Sequence, residues 1–212
     1  MKNVFGTILD AVVPPRARSA RTKARGIEDI PLEPTEHELL RCRIITLMDY
    51  RKEAVQDLVR SLKYDRSRHA AQLASMVLAD YLREEVAAAH TFSTKRVLLV
   101  PVPLHRKRER ERGFNQIALV LQALPSELRD GTEALLAPDV LVRTRATKQQ
   151  TRLQRAERLS NVAGAFEATR DLPKTHVYLI DDVTTTGATL ANAATPLKRA
   201  GAEVTLLALA RA

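Results

Sequence analysis

The chain has 212 residues, 45% of them apolar and 28% charged, which suits a soluble globular protein of one domain with a sizeable core. Its formal net charge of +9 is concentrated at residues 95–160, which hold 14 bases and 7 acids, so the excess falls in the middle of the chain. A single cysteine, Cys42, excludes an internal disulfide and a cysteine-built zinc site, and no apolar run approaches the roughly 20 residues that span a bilayer.

Residues 1–13 carry one early lysine, are interrupted by Asp10 and lead to no small-residue cleavage site, so a signal peptide is rejected and a cytoplasmic setting is expected. Four prolines (Pro14, Pro15, Pro31, Pro34) and five bases from Arg16 to Arg25 predict a mobile or loosely packed basic arm over residues 1–36. Such an arm is either a solvated linker or a nucleic-acid contact. Residues 42–50 read as a strand. Val55, Leu58, Val59 and Leu62 recur at helical spacing, predicting an amphipathic helix over 53–62. A second helix is expected over 68–84 with Leu73, Met76, Val77 and Tyr81 inward.

The apolar run 96–102 has the pattern of a strand buried on both faces of a parallel sheet. A loop over 103–113, a helix over about 115–123 and a short strand over 139–143 follow. Residues 144–151 form a polar, basic loop, 153–162 a helix and 165–168 a short extended piece. Two more buried strands, 176–181 and 203–209, flank a helix over 190–200 that Gly201 ends. Strands alternating with helices predict an α/β domain with a mostly parallel sheet flanked by helices and right-handed crossovers. Ligands in such sheets bind beyond the carboxyl ends of the strands.

The stretch that carries chemistry is Val177-Tyr178-Leu179-Ile180-Asp181-Asp182-Val183-Thr184-Thr185-Thr186-Gly187-Ala188-Thr189. A buried strand, a hydroxyl-rich loop and a helix leave backbone N–H groups at the helix N-terminus open to an anion. Gly187 permits close backbone approach, and the hydroxyls of Thr184, Thr185, Thr186 and Thr189 can bond phosphate oxygens. Asp181 and Asp182 would repel a bare phosphate, so they call for hydroxyls or a metal-bound group. A sugar phosphate supplies both kinds of partner.

Two basic loops accompany this stretch. Pro103, Leu104 and His105 lead into Arg106, Lys107, Arg108, Arg110 and Arg112, with two acids among them. That loop suits a pyrophosphate, or equally a solvated turn or a nucleic-acid patch. The other, around Arg145, Thr147, Lys148 and Gln150, is a surface loop or a lid that closes over a reacting centre.

Taken together, Val100-Pro101-Val102-Pro103-Leu104 with Arg112-Gly113-Phe114-Asn115-Gln116, the run from Arg143 through Arg158 and Asn161 to Phe166, and the stretch at Asp181 resemble the ComF/GntX family. The resemblance covers about residues 50–212. It implies the type I phosphoribosyltransferase-like fold, with a hood over residues 37–94 and a core over 95–212 that binds 5-phosphoribosyl-1-pyrophosphate (PRPP).

By that resemblance, Asp181 and Asp182 hold the ribose hydroxyls, and residues 184–189 the 5′-phosphate. Pro103, Leu104, His105, Arg106, Arg110 and Arg112 would hold pyrophosphate, and Arg145, Thr147, Lys148 and Gln150 belong to the flexible loop. Magnesium would arrive with PRPP, held mainly by its oxygens. Paired cysteines near the N-terminus, common in the family, are missing here, so no zinc is expected. The reaction implied is displacement of pyrophosphate from C1′ by an acceptor the sequence does not identify. Still open are a PRPP- or ribonucleotide-binding protein without turnover, and a nucleic-acid partner or DNA-uptake accessory, in a monomer or a dimer. Low aromatic content (4%) argues against a base-stacking platform.

Overall fold

A computed structural model of the chain describes residues 15–104, 110, 112–144 and 164–212. The expected helix over 153–162 and the flexible-loop residues Arg145, Thr147, Lys148 and Gln150 lie outside the described residues, as do His105 and Arg106.

Eight strands are described: β1 (Thr35–Leu39), β2 (Cys42–Asp49), β3 (Arg96–Pro101), β4 (Leu135–Leu136), β5 (Leu141–Arg143), β6 (Phe166–Ala168), β7 (Thr175–Thr184) and β8 (Glu203–Arg211). Six of them form one sheet in the order β1-β2-β8-β7-β3-β4, and β5 pairs with β6 separately. Every pairing in the large sheet is parallel except the β1–β2 hairpin. The α/β class and the mostly parallel sheet flanked by helices are therefore as the sequence predicts.

The apolar runs of β3 and β7 are buried on both faces for a visible reason: each face has its own core. Tyr178 and Ile180 pack with Leu207 and Leu209 under α2 (Glu53–Tyr64), α3 (Arg68–Phe92) and α4 (Gln116–Gln122). Val177 and Leu179 pack with Leu98, Val100 and Leu206 under Leu190, Ala193 and Leu197 of α5 (Ala188–Arg199). The α2 stripe of Val55, Leu58, Val59 and Leu62 is wholly buried, as its spacing requires.

Three expectations are corrected. The second helix runs to Phe92, because residues 85–90 continue with good helix formers. Met76 is 46% exposed rather than inward: it falls beside the stripe of Leu73, Val77 and Tyr81, not on it. The basic segment is not loosely packed from Pro15 onward. It forms α1 (Pro15–Lys23), which lies on α2.

The anchor is the buried carboxylate of Asp57, which accepts from Arg21 Nε and Nη2 and from Arg25 Nη1, each at 2.8 Å. Burial pushes the Asp57 carboxyl up, but the hydrogen bonds from Arg21 and Arg25 outweigh it and hold it below the usual carboxylate range. Buried Thr22 adds a hydroxyl–hydroxyl bond to Ser61 at 3.0 Å. β1 falls across the end of the expected arm, and its hairpin turns through Leu40 (φ 53°) and Arg41 (φ 59°), two positive φ values at residues that rarely adopt them.

Candidate functional site

β3 and β7 are parallel neighbours, and Val102 N–H donates to Ile180 O at 2.9 Å, so the pairing continues to the foot of the 103–113 loop. The two loops that the sequence singles out thus leave the same sheet edge side by side.

β7 does not stop at the first acid. It runs to Thr184, which pairs with Arg211 of β8. Side chains alternate along a strand, so Asp181 and Asp182 stand on opposite faces. Asp181 shares the face of Val177 and Leu179, over which α5 packs, and is half-buried. One of its oxygens accepts the Asp182 N–H at 2.8 Å.

Asp182 is buried on the other face, and protein groups occupy it. Its Oδ2 accepts from Gln116 Nε2 and lies 3.2 Å from Lys63 Nζ, and its Oδ1 accepts from the Val183 N–H. The two acids are therefore not equivalent. Asp181 is the half-buried member of the pair and Asp182 the buried one.

Gly187 caps α5 with φ +76° and contributes no side chain to the helix N-terminus. A Cβ there would lie 2.6 Å from Ile44 Cδ1 and 3.0 Å from Leu39 Cβ. Glycine is thus required by backbone conformation and by the seat of the loop against the β1–β2 hairpin. The helix beyond leaves the first-turn amides of Ala188 and Thr189 without intrahelical partners, Ala188 N–H reaching only Thr186 Oγ1 at 3.5 Å. Thr185 is exposed and Thr186 and Thr189 are half-buried, while Thr184 is buried in the sheet. Thr185, Thr186 and Thr189 are the hydroxyls open to an anion.

The Arg112-Gly113-Phe114-Asn115-Gln116 motif is a set of local devices. Gly113 takes φ +72°. The Asn115 side chain caps α4, accepting from the N–H groups of Ile117 (2.9 Å) and Ala118 (3.3 Å), and donates to Val102 O at 3.0 Å. Gln116 is buried and passes the interaction on: its Oε1 accepts from Arg112 Nη1 at 3.2 Å. Arg112 also lies over the ring of Tyr64, 5.7 Å from its centroid, and Arg66 over Phe114 at 5.4 Å. Arg110 is exposed, and Pro103 and Leu104 are described as far as the foot of the loop.

Lys63 was not singled out in the sequence. In the last turn of an amphipathic helix a lysine reads as a solvated partner of the helix C-terminus. The missed signal is its place next to Leu62, the last residue of the buried stripe.

A cleft of about 470 Å³ lies between the β1–β2 hairpin and the end of β8, lined by Glu33, Thr35, His37, Thr46, Met48 and Arg211 among others. Thr35, Thr46, Ala208 and Asp181 are in register across four strands, so this cleft and Asp181 share one sheet face. Arg211 Nη1 donates to His37 Nδ1 at 2.6 Å, which makes His37 Nε2 the N–H that donates to Thr46 Oγ1 at 2.9 Å. Burial and the Arg211 charge hold the His37 pKa below its usual value.

Among the described residues no three His, Cys, Asp or Glu side chains are grouped to hold a metal ion. The donor set fits magnesium of one kind: Mg²⁺ commonly takes one or two carboxylates and completes its shell with water and substrate phosphates. Asp181 is placed to be such a carboxylate. No helix among the described residues is long and apolar enough to cross a membrane.

No model of a known protein family matches the chain. It is 32% identical over 161 residues to DNA utilization protein YhgH of Escherichia coli K12, covering 76% of this chain and 67% of that one. Competence protein F of Haemophilus influenzae is 33% identical over 54% of this chain and 50% of its own length. Competence protein ComFC of Bacillus subtilis is 34% identical over 52% and 42%. Among solved structures, a hypoxanthine phosphoribosyltransferase from Staphylococcus aureus covers 69% of this chain and 74% of its own, with 11% identity and a TM-score of 0.38. An orotate phosphoribosyltransferase from Mycobacterium tuberculosis covers 93% and 97%, with 13% identity and the same TM-score. At that level nothing about this chain's chemistry follows from the two structures.

Proposed function

This chain belongs to the ComF/GntX family, and from that premise we propose that it binds PRPP and transfers the phosphoribosyl group to an acceptor, releasing pyrophosphate. One observation carries the reading. A half-buried acid, Asp181, stands at a strand end between an open helix N-terminus on its own chain and a basic loop leaving the adjacent parallel strand. Such a setting offers partner types for sugar hydroxyls, a 5′-phosphate and a diphosphate.

In this mechanism the Thr185–Thr189 loop holds the 5′-phosphate, and binding energy far from the reacting carbon orients C1′. Asp181 accepts from the ribose hydroxyls, and its charge favours the cationic sugar as the C1′–O bond breaks. The electron pair leaves on pyrophosphate, where Arg112 and Arg110 stabilise it, and the acceptor's lone pair closes on C1′. Magnesium, when bound with PRPP, neutralises part of the diphosphate charge. The cleft between the β1–β2 hairpin and β8 lies on the face of Asp181 and is the space we assign to the acceptor.

The test is calorimetric titration with PRPP, with and without magnesium, against the protein and an Asp181→Asn variant of unchanged unfolding midpoint. Binding that needs magnesium and is lost in the variant is expected; equal affinity for both proteins would sink the reading. A second reading keeps the ligand and drops the turnover, making the protein a PRPP- or ribonucleotide-sensing accessory of DNA uptake. The relatives' names, DNA utilization and competence, favour it. Pyrophosphate release in the presence of candidate acceptors separates the two.

A further inference from the structure

Lys63 sits where a solvated lysine has no need to be. It ends α2 directly after fully buried Leu62, and its side chain is only 21% exposed because it turns to the carboxylate of Asp182. A largely buried ion pair brings little net stability, since desolvation offsets the attraction. The pair therefore calls for another reason.

The surroundings supply one. Asp182 Oδ2 also accepts from Gln116, whose amide orientation is fixed because its oxygen takes Arg112. Tyr64, next to Lys63, lies under the same Arg112 guanidinium. Two separate contacts thus tie the end of α2 to Asp182 and to the basic loop. Lys63 meets Asp182 directly, and Arg112 joins the same carboxylate through Gln116. An ammonium group has three donors, and Asp182 occupies one.

We propose that Lys63 is a diphosphate-binding residue of this site, with Asp182 and Gln116 as the positioning residues that aim it; this rests on reading the site as one for PRPP. Lys63 then donates its remaining N–H groups to phosphate oxygens, and Asp182 fixes a cation rather than a sugar hydroxyl.

The experiment titrates wild type, Lys63→Gln, Lys63→Arg and Gln116→Met with Mg-PRPP, magnesium pyrophosphate and ribose 5-phosphate, with thermal midpoints measured beside them. Lys63→Gln should weaken both diphosphate ligands about tenfold or more and leave ribose 5-phosphate within about twofold. Lys63→Arg should keep most of the affinity, and Gln116→Met should show a smaller loss of the same selectivity. Wild-type affinity in Lys63→Gln, or an equal loss for all three ligands, would overturn the Lys63 assignment while leaving the PRPP site standing. Wild type that binds neither diphosphate ligand would overturn both.

Discussion

His176 shows what the strand register does to a single side chain. Its ring stacks on Tyr178 (centroids 4.7 Å apart, planes 20° apart) and its Nε2 bonds Thr205 Oγ1 at 2.8 Å. Burial pushes its pKa below the ordinary 6.5; Lys95 lowers it further and Glu203 opposes. From 6.5 down to the folded value the unfolded chain therefore holds a proton that the folded chain does not. Stability is fully present above 6.5 and falls as pH drops below it. The thermal midpoint should be level from about pH 7 to 8 and decline in acid, with a shallower decline in His176→Gln; His37, also depressed, and carboxylates held low, such as Asp57, contribute to the decline that remains. An acid slope identical in wild type and variant would exclude His176 as a source. In the sequence His176 is one histidine among five, since its stack and its partner Thr205 lie on a pairing that local pattern does not encode. The Asp pair is legible as an acid pair, but not its split between the two sheet faces. The expected strand ends at Asp181 and leaves Asp182 outside it, so the two acids do not read as strand neighbours. The strand through Thr184 makes them alternate.

Elements were legible where an apolar period dictated them. The runs of β3, β7 and β8 and the stripe of α2 appear in the structure close to their expected bounds. The β1–β2 hairpin was half missed, because β1 is the polar Thr35-Glu-His-Glu-Leu39 and the turn at Leu40–Arg41 lacks the Asn or Gly such turns favour. Folding of the basic segment was missed because its counter-charge, Asp57, lies 32 to 36 residues away. The hairpin matters to the site, since Leu39 and Ile44 press on Gly187. Gly187→Ala adds left-handed strain of about 1–2 kcal/mol and a clash with Ile44 Cδ1. Denaturant unfolding should show about 2 kcal/mol or more of destabilisation. Ile44→Val removes that methyl, so Gly187→Ala with Ile44→Val should be less destabilised than the two single effects added. Simple additivity would mean the hairpin does not bear on the loop.

The net charge of +9 poses a question for the whole molecule, because a phosphate site and a nucleic-acid surface both call for it. In the structure part of the basic excess is spoken for. Arg21 and Arg25 fold onto Asp57, Arg112 onto Gln116 and Tyr64, and Lys63 onto Asp182. Arg21 and Arg25 of the N-terminal segment are thereby engaged within the fold, while Arg110 and Arg112 belong to the loop that follows β3, the parallel neighbour of β7. Charge reversal at these two (Arg110→Glu, Arg112→Glu) should weaken Mg-PRPP strongly, by about 100-fold or more, since two charge-assisted contacts become repulsive. Single-stranded DNA, followed by fluorescence anisotropy at two salt concentrations, should bind with an affinity that falls steeply with salt and shows no sequence preference. The same reversal should lower that affinity only as the loss of a few charges does. A folded double variant with unchanged PRPP affinity and abolished DNA binding would assign the loop to nucleic acid. The opposite outcome keeps it with the diphosphate, in line with the parallel pairing of β3 and β7, which brings the foot of the loop next to the strand that carries Asp181.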